Sequence, residues 1–360
     1  MKILVIHATA GAGHKKAAEA IYNGLLRHTT HHAQIVDSLD YTNPFFKDSY
    51  PKTYVFLVTK LPILWQFFFG VLDIPLLQPL VHLTRRFYNG INTIKLVKFL
   101  KAEDFDVIIT THFMSAEVSA YLKRTGQIHS KVICTVTDFD VHRIWINQGI
   151  DLYTCASDYT KKKIESLGVN PKNVFVTGIP TDEKFALNVD KVQMRQKLKV
   201  DPNSFSVLLA TGSFGMGPIE ELIDMLKGYQ LLIVCGHNKS LYERLKSRAN
   251  AKVHVFGLVN NMDELMSATD VMVTKPGGLS IAEALVKKLP LIFFSAIPGQ
   301  ATGNIKVLKK YQAADDQGSL MDIVDRIDDL SATVQVYEDL RQKLEPLSKP
   351  NAVKDIIKLL

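Results

Sequence analysis

Two stretches of this chain combine residue types that do chemistry. The first, "VTKPGGLSIAEALVKKLP" (273–290), runs a strand end into a proline–glycine–glycine corner and then into an amphipathic helix. Pro276, Gly277 and Gly278 clear side chains from the helix mouth. The amides of Leu279 and Ser280 are then open to a diphosphate, which the positive end of a helix favours. Ser280 also stands where hydroxyls cap a first turn. Glu283 lies further along, where a carboxylate can accept from both hydroxyls of a ribose. Phosphate at the mouth and ribose beside the acid is a nucleotide geometry. A capped helix with a surface glutamate would leave the same letters.

The second stretch, "HATAGAGHKKAAEAI" (7–21), is a strand, a small-residue loop and a helix. Gly11 and Gly13 let backbone amides approach a ligand. No Gly-Lys-Ser/Thr follows and the third glycine of a dinucleotide fingerprint is missing, so neither of those motifs applies. His14 falls at the positive end of the helix, which favours the neutral imidazole and suits a general base near pH 7. Tight packing explains such glycines equally well, and a structural histidine is the competing reading.

Further along, "LLATGSFGMGPIEEL" (208–222) repeats the arrangement, with Gly212, Ser213, Gly215 and Gly217 offering a phosphate-sized pocket of amides and a hydroxyl. An ordinary strand–helix turn is the alternative. In "IPGQATGNIKVL" (297–308), Gln300 and Asn304 share a helical face, and neutral amides suit sugar hydroxyls. "TDFD" (137–140) invites a metal reading, set aside because no further carboxylates cluster with it. The histidines show no zinc spacing, so no metal site is expected.

These corners need scaffolding. The chain has 360 residues, 47% hydrophobic and 22% charged, enough for two globular domains and too apolar for disorder. Cys134, Cys155 and Cys235 are widely spaced in apolar runs, as buried free thiols of a reducing compartment. The start lacks a signal peptide's core and cleavage site, so a cytoplasmic protein is expected.

Continuous apolar runs at 2–8, 34–38, 106–110, 131–137 and 152–156 alternate with helical patterns. Such runs mark strands covered on both faces in a parallel sheet. A polar, proline-punctuated stretch follows, and the pattern restarts at 205–215, 231–236, 252–257, 270–278 and 290–294. The expected organisation is an amino-terminal domain over 1–180, a linker over 181–204, and a carboxy-terminal domain over 205–340. A last helix over 341–360 could return to the first domain. The fold class is α/β, two doubly wound halves with ligands beyond the carboxyl ends of the strands.

The formal charge of +7 is concentrated between 49 and 102. There Lys52, Lys60, Arg85, Arg86, Lys95, Lys98 and Lys101 face the single acid Asp73. The same stretch holds "LPILWQFFFGVL" (61–72), with Trp65, Phe67, Phe68 and Phe69. Pro62, Gln66 and Pro75 break it below the roughly 20 apolar residues of a span. Aromatics with bases and no span suggest a segment lying on an anionic membrane surface. A core helix with a solvated basic face is the alternative. Nucleic acid is set aside, since no binding module surrounds the patch.

In order along the chain, "GAGH", "VTDFDVHRIWINQGIDLYTCASD" (136–158), "VTGIP" (176–180), "TGSFGMGP" (211–218), "VTKPGGLSIAEA" (273–284) and "PGQATGN" (298–304) resemble glycosyltransferase family 28. The branch is that of bacterial processive diacylglycerol glucosyltransferases and plant monogalactosyldiacylglycerol synthases. The resemblance covers nearly the whole chain. It implies the GT-B arrangement, two Rossmann-like domains facing an interdomain cleft. It also implies inverting transfer of a hexose from a UDP-sugar to diacylglycerol, with no metal or other cofactor, by a protein peripheral to the cytoplasmic face of the membrane. By motif matching, Glu283 binds the ribose; Gly277, Gly278, Leu279 and Ser280 face the diphosphate; and the backbone of Val259 reads uracil. Gln300 and Asn304 hold the hexose, His14 is the base, and Asp138 lies in a matched motif of less defined role. The segment 49–102 corresponds to the membrane-engaging region. Related sequences often read "PGQE" where this chain has Ala301, and its loops mix glucosyl- and galactosyltransferase features, with the balance towards glucose. A polyprenyl-linked peptidoglycan precursor as acceptor, or a silent UDP-sugar sensor, are the competing functions.

Overall fold

The computed structural model spans residues 1–360 and describes all of them except 10, 211, 213, 214, 216, 295–298 and 316–317, and the side chains of 54, 59, 82 and 86. The chain divides into two compact units. One comprises Met1–Glu183, Ile297–Gly303 and Asn351–Leu360; the other comprises Lys184–Ala296 and Asn304–Pro350.

The first unit holds strands β1 (Lys2–His7), β2 (His32–Asp37), β3 (Val107–Thr110), β4 (Lys131–Thr135), β5 (Leu152–Cys155) and β6 (Val174–Val176). They form one parallel sheet in the order β2-β1-β3-β4-β5-β6. Both faces of β1 are covered. Ile3 and Val5 pack with Ile21 and Leu25 of the helix Ala12–His28, while Leu4 and Ile6 pack with Leu96, Leu100 and Leu122 on the other side. Each such side chain contributes about 1.5–3 kcal/mol by burial, and two buried faces require an uninterrupted apolar run.

The chain's last helix, Ala352–Ile357, lies in this unit against the first helix. Gly24 permits that approach, because a Cβ there would stand 2.1 Å from a Val353 methyl. Lys131 Nζ secures the terminus by donating to the carbonyls of Leu359 (2.6 Å) and Leu360 (3.2 Å).

In the second unit, β7 (Ser206–Ala210), β8 (Gln230–Val234), β9 (Val253–Phe256), β10 (Val271–Thr274) and β11 (Leu291–Phe293) form a second parallel sheet. Its order is β11-β10-β7-β8-β9. The expected linker over 181–204 is not a tether. It carries the helix Lys191–Leu198, whose Arg195 is buried. That guanidinium donates to Asp270 Oδ2 (2.6 Å), Ala268 O (2.8 Å) and Pro202 O (2.7 Å). Polar composition suggested a loop, but these polar groups serve an anchor inside the unit.

Each sheet has one place where the strand order reverses, between β1 and β3 in the first and between β7 and β10 in the second. Crossovers leave such a point on opposite faces and open a crevice at the strands' carboxyl ends. The glycine loop with His14 follows β1, and the proline–glycine–glycine corner follows β10. Chain topology therefore delivers both stretches to their sheets' switch points.

Candidate functional site

The helix Ala12–His28 begins directly after the loop from β1, with Gly11 as an extended N-cap and no side chain capping it. His14 stands in its first turn. Its Nδ1 lies 2.8 Å from the carbonyl oxygen of Thr111 and 2.9 Å from Thr137 Oγ1. A carbonyl can only accept, so Nδ1 carries the proton and Nε2 presents its lone pair. Thr111 Oγ1 in turn donates to the His14 carbonyl at 2.9 Å, locking the turn to the end of β3. The rings of His112 (4.7 Å, perpendicular) and Trp145 (6.0 Å) flank the imidazole. Burial pushes the His14 pKa down to about 4, with the Thr111 bond opposing and His7 reinforcing. The imidazole is neutral at physiological pH, with one nitrogen held and the other available.

Thr111 and Thr137 were not singled out in the sequence. The available signal was "TTH" (110–112), a polar triplet closing the apolar run of β3.

Asp138 follows Thr137 and is buried, accepting from Gln300 Nε2 at 2.5 Å. Asp140 is committed elsewhere, to Lys163 Nζ at 2.6 Å. The two acids of "TDFD" thus face different partners. Among the described residues no three His, Cys, Asp or Glu side chains converge as a metal site would need.

In the second unit, Thr274 Oγ1 ties the end of β10 to β7 by donating to Ala210 O at 2.8 Å. Pro276 is buried and its carbonyl accepts from Asn304 Nδ2 at 3.0 Å. Asn304 is itself fully buried, so this amide braces the corner from behind. Gly277 is the exposed N-cap of the helix Gly278–Val286, which no side chain caps. A Cβ on Gly277 would meet nothing within 4 Å. The first N–H groups of the helix, at Gly278, Leu279 and Ser280, have no partner within the helix; Gly278 is buried, and Leu279 and Ser280 are half-buried. Glu283 is half-buried on the same helix. Lys275, immediately before the corner, is half-buried with no ion-pair partner among the described residues, and burial alone lowers its pKa.

The loop after β7 is more mixed. Gly215 (φ +61°) and Gly217 (φ +153°) are required by packing, since a Cβ would strike the Cys235 carbonyl at 2.4 Å or the Phe294 ring at 2.3 Å. Gly212 (φ +69°) faces open space. Ser213 lies outside the described residues. Val259 is half-buried in the loop following β9.

The basic-aromatic segment folds as the helices Pro44–Lys60, Pro62–Val71 and Gln78–Asn92. No residue of Pro62–Val71 is buried, and Phe67 and Phe68 are exposed at 62% and 49%. Leu80, Leu83, Phe87 and Ile91 line an exposed apolar stripe on the third helix. Trp65 and Phe69 are half-buried, 5.7 Å apart, with Phe69 seated on His142. Among the described residues no single helix is long and apolar enough to cross a membrane. Arg85 corrects the expectation of a basic surface residue. Its side chain is 14% exposed and bonded to Glu117 at 2.6 Å, which also accepts from Asn89. The pair anchors the helix to the sheet domain, leaving no free charge there. The side chain of Arg86 lies outside the described residues. Lys52, Lys60, Lys95, Lys98 and Lys101 are exposed.

Residues 14–181 match the family model for monogalactosyldiacylglycerol (MGDG) synthase, and residues 216–360 match the glycosyltransferase family 28 C-terminal domain. A processive diacylglycerol beta-glucosyltransferase of Bacillus pumilus is 28% identical, over 99% of this chain and 93% of its own. One from Bacillus cereus is 30% identical, over 87% and 81%. Among solved structures, MurG of Acinetobacter baumannii aligns with TM-score 0.62 at 14% identity, over 99% of this chain and 98% of its own. Anabaena HepE in complex with UDP-glucose aligns with TM-score 0.57 at 14% identity, over 100% and 99%.

Proposed function

The chain belongs to glycosyltransferase family 28, alongside the processive diacylglycerol β-glucosyltransferases, and from that membership we propose that it transfers glucose from a UDP-sugar to the hydroxyl of diacylglycerol, with inversion. The fold class is GT-B, with two Rossmann-like domains. One observation carries the reading. His14 at the β1/β3 switch point is a neutral imidazole whose Nδ1–H is fixed by Thr111 and whose Nε2 is free to take a proton.

In this mechanism the acceptor hydroxyl gives its proton to His14 Nε2 as its oxygen attacks the anomeric carbon. The oxygens of Thr111 and Thr137 around Nδ1 stabilise the imidazolium that forms, as an orienting group does in other His-based sites. The donor diphosphate lies on the amides of Gly278, Leu279 and Ser280, with its ribose on Glu283. Negative charge growing on the leaving diphosphate is met by the helix end and the Lys275 ammonium, so no metal ion is required. Gln300, held by Asp138, presents its amide oxygen to the hexose. Asn304 acts from behind the corner by bracing Pro276.

Because the acceptor is a bilayer lipid, the chain works at a membrane surface. Exposed Phe67, Phe68, Leu83 and Phe87 enter the interface, and the exposed lysines attract anionic headgroups at the cytoplasmic face.

The direct test incubates the full chain with diacylglycerol vesicles and separate UDP-sugars, followed by mass analysis of the lipids. Hexosyl-diacylglycerol from UDP-glucose is the expected product. No lipid product from any UDP-hexose would overturn the assignment, and product from UDP-galactose alone would overturn the sugar.

A further inference from the structure

His112 stands beside the base, and the mechanism above gives it no task. It is the N-cap of the helix Phe113–Arg124, two residues after β3, at the same switch point as His14. Its Nδ1 accepts from the Met114 amide at 3.2 Å. An accepting ring nitrogen holds no proton, so the tautomer is fixed and Nε2 carries the N–H. The side chain is 1% exposed, and burial pushes its pKa well below the ordinary value, so the ring stays neutral at physiological pH. Among the described residues nothing accepts from Nε2–H. A buried donor left unpaired is costly, so a group from outside the protein would satisfy it.

The surroundings define that group. The rings of His112 and His14 meet edge to face with centroids 4.7 Å apart, so a molecule reacting at His14 has its next atoms beside His112. His14 presents a lone pair and His112 an N–H: one ring takes a proton, the other offers a hydrogen bond. A donor aimed at the attacking oxygen would hold the electron pair that the attack needs. The fitting partner is therefore a neighbouring atom that only accepts. Phe113 packs on the His112 ring at 4.1 Å, Trp145 lies 6.1 Å from Phe113, and Met114 is buried. Such apolar neighbours suit an ester carbonyl better than a second hydroxyl, whose own proton would go unpaired. In diacylglycerol an ester stands on the carbon chain next to the free hydroxyl.

We propose that His112 Nε2–H donates to the ester carbonyl beside the free hydroxyl of diacylglycerol, and so selects acyl-linked over alkyl-linked glycerolipids. The proposal rests on the transferase reading above and adds to it a residue that reads the acceptor's linkage.

The test compares rates of the full chain on vesicles carrying either diacylglycerol or its dialkyl ether analogue of matched chain length, which lacks the carbonyls. The ester should be used roughly 10-fold faster, because the ether leaves the buried N–H unpaired. His112→Asn keeps an oxygen near the place of Nδ1, and with it the cap, but puts no donor at the place of Nε2. Its ester-to-ether ratio should fall to about one. His112→Gln carries an amide N–H out to the Nε2 position and should restore most of the ratio. A residue that merely caps the helix would give the reverse order, with the asparagine variant unimpaired and the glutamine variant slow on both lipids; that order overturns the proposal. Equal use of ester and ether by the unmodified chain overturns it too. A binding arm needs no turnover: dihexanoylglycerol should shift the His112 Nε2 resonance, and dihexylglycerol should leave it in place. No shift with either, or equal shifts with both, also overturns the proposal. A shift specific to the ester without transfer to any lipid would leave the contact standing and defeat the transferase reading instead.

Discussion

At His14 the decisive feature is which nitrogen holds the proton. The Thr111 carbonyl fixes the tautomer through the backbone, so no side-chain change at Thr111 removes that bond. Thr137 contributes a second oxygen at 2.9 Å. His14→Ala should therefore lower turnover by about 10²–10⁴-fold while leaving UDP affinity intact. Turnover near that of the unmodified chain would remove His14 as the base. Thr137→Val deletes one neutral hydrogen bond and should cost up to about 10-fold in kcat with donor KM unchanged. Thr137→Ser, which keeps the hydroxyl, should restore most of the rate; a serine variant as slow as the valine one would reduce Thr137 to packing. Glu283 belongs to the donor instead. Glu283→Ala should weaken UDP binding by about 1.5–3 kcal/mol, the range for a hydrogen bond to a charged group, as measured by calorimetry. Unchanged affinity would detach the ribose from this carboxylate.

Elements show where local patterning suffices and where distant partners decide. Strands β1, β3 and β4 were legible because helices cover both faces and the code is an unbroken apolar run. Strand β6 was not, since three residues carry no period. The corner at 276–278 was legible because an exposed uncapped helix mouth demands small residues. Asn304, by contrast, could be placed on a helical face but not recognised as a brace, because its partner is a backbone carbonyl far along the chain. Arg85 was misread for the same reason: composition registers its charge, while Glu117 arrives only through folding. The helix Lys191–Leu198 is the strongest case. Its Arg195 is 5% exposed and clamped on Asp270, which also accepts from the Ser206 amide at 2.7 Å and from Lys191 at 2.7 Å. Arg195→Ala leaves that carboxylate short of a buried partner and should destabilise the second unit by about 3–5 kcal/mol. Hydrogen exchange in β7 and β10 would report it, and wild-type protection there would return this stretch to linker status. On the apolar helix, Phe67→Ser/Phe68→Ser should reduce flotation with anionic vesicles without altering turnover on detergent-dispersed lipid. Undiminished flotation would move the membrane contact elsewhere.

Across the whole molecule, four histidines of the first unit are shifted in one direction by burial. His14 is held down to about 4, His112 lies well below its ordinary value, and burial also lowers His7 and His142. Unfolded histidines take up protons near 6.5. Between that pH and about 4 the unfolded chain therefore binds more protons than the folded one, so stability must fall as pH falls through this window and level off above it. Several surface carboxylates, Glu183 and Glu264 among them, have lowered pKa values and add a loss of the same sign, but only below about 4.5. Glu117, whose pKa burial raises, takes up its proton earlier in the folded chain and works in the opposite sense, so the histidine contribution is read from the upper part of the window. The chain has two tryptophans, Trp65 and Trp145, and both lie in the first unit, so tryptophan fluorescence follows that unit alone. Its urea midpoint should be flat from pH 8 to 7 and then decline, with a loss on the order of 5 kcal/mol by pH 4.5 from His14 and His112. His14→Gln removes one of the four titrations and should make the decline shallower without moving its onset. A midpoint independent of pH down to 5 would mean that these imidazoles are hydrated in the folded state. The neutral, pre-oriented base at His14 would then lose its physical ground.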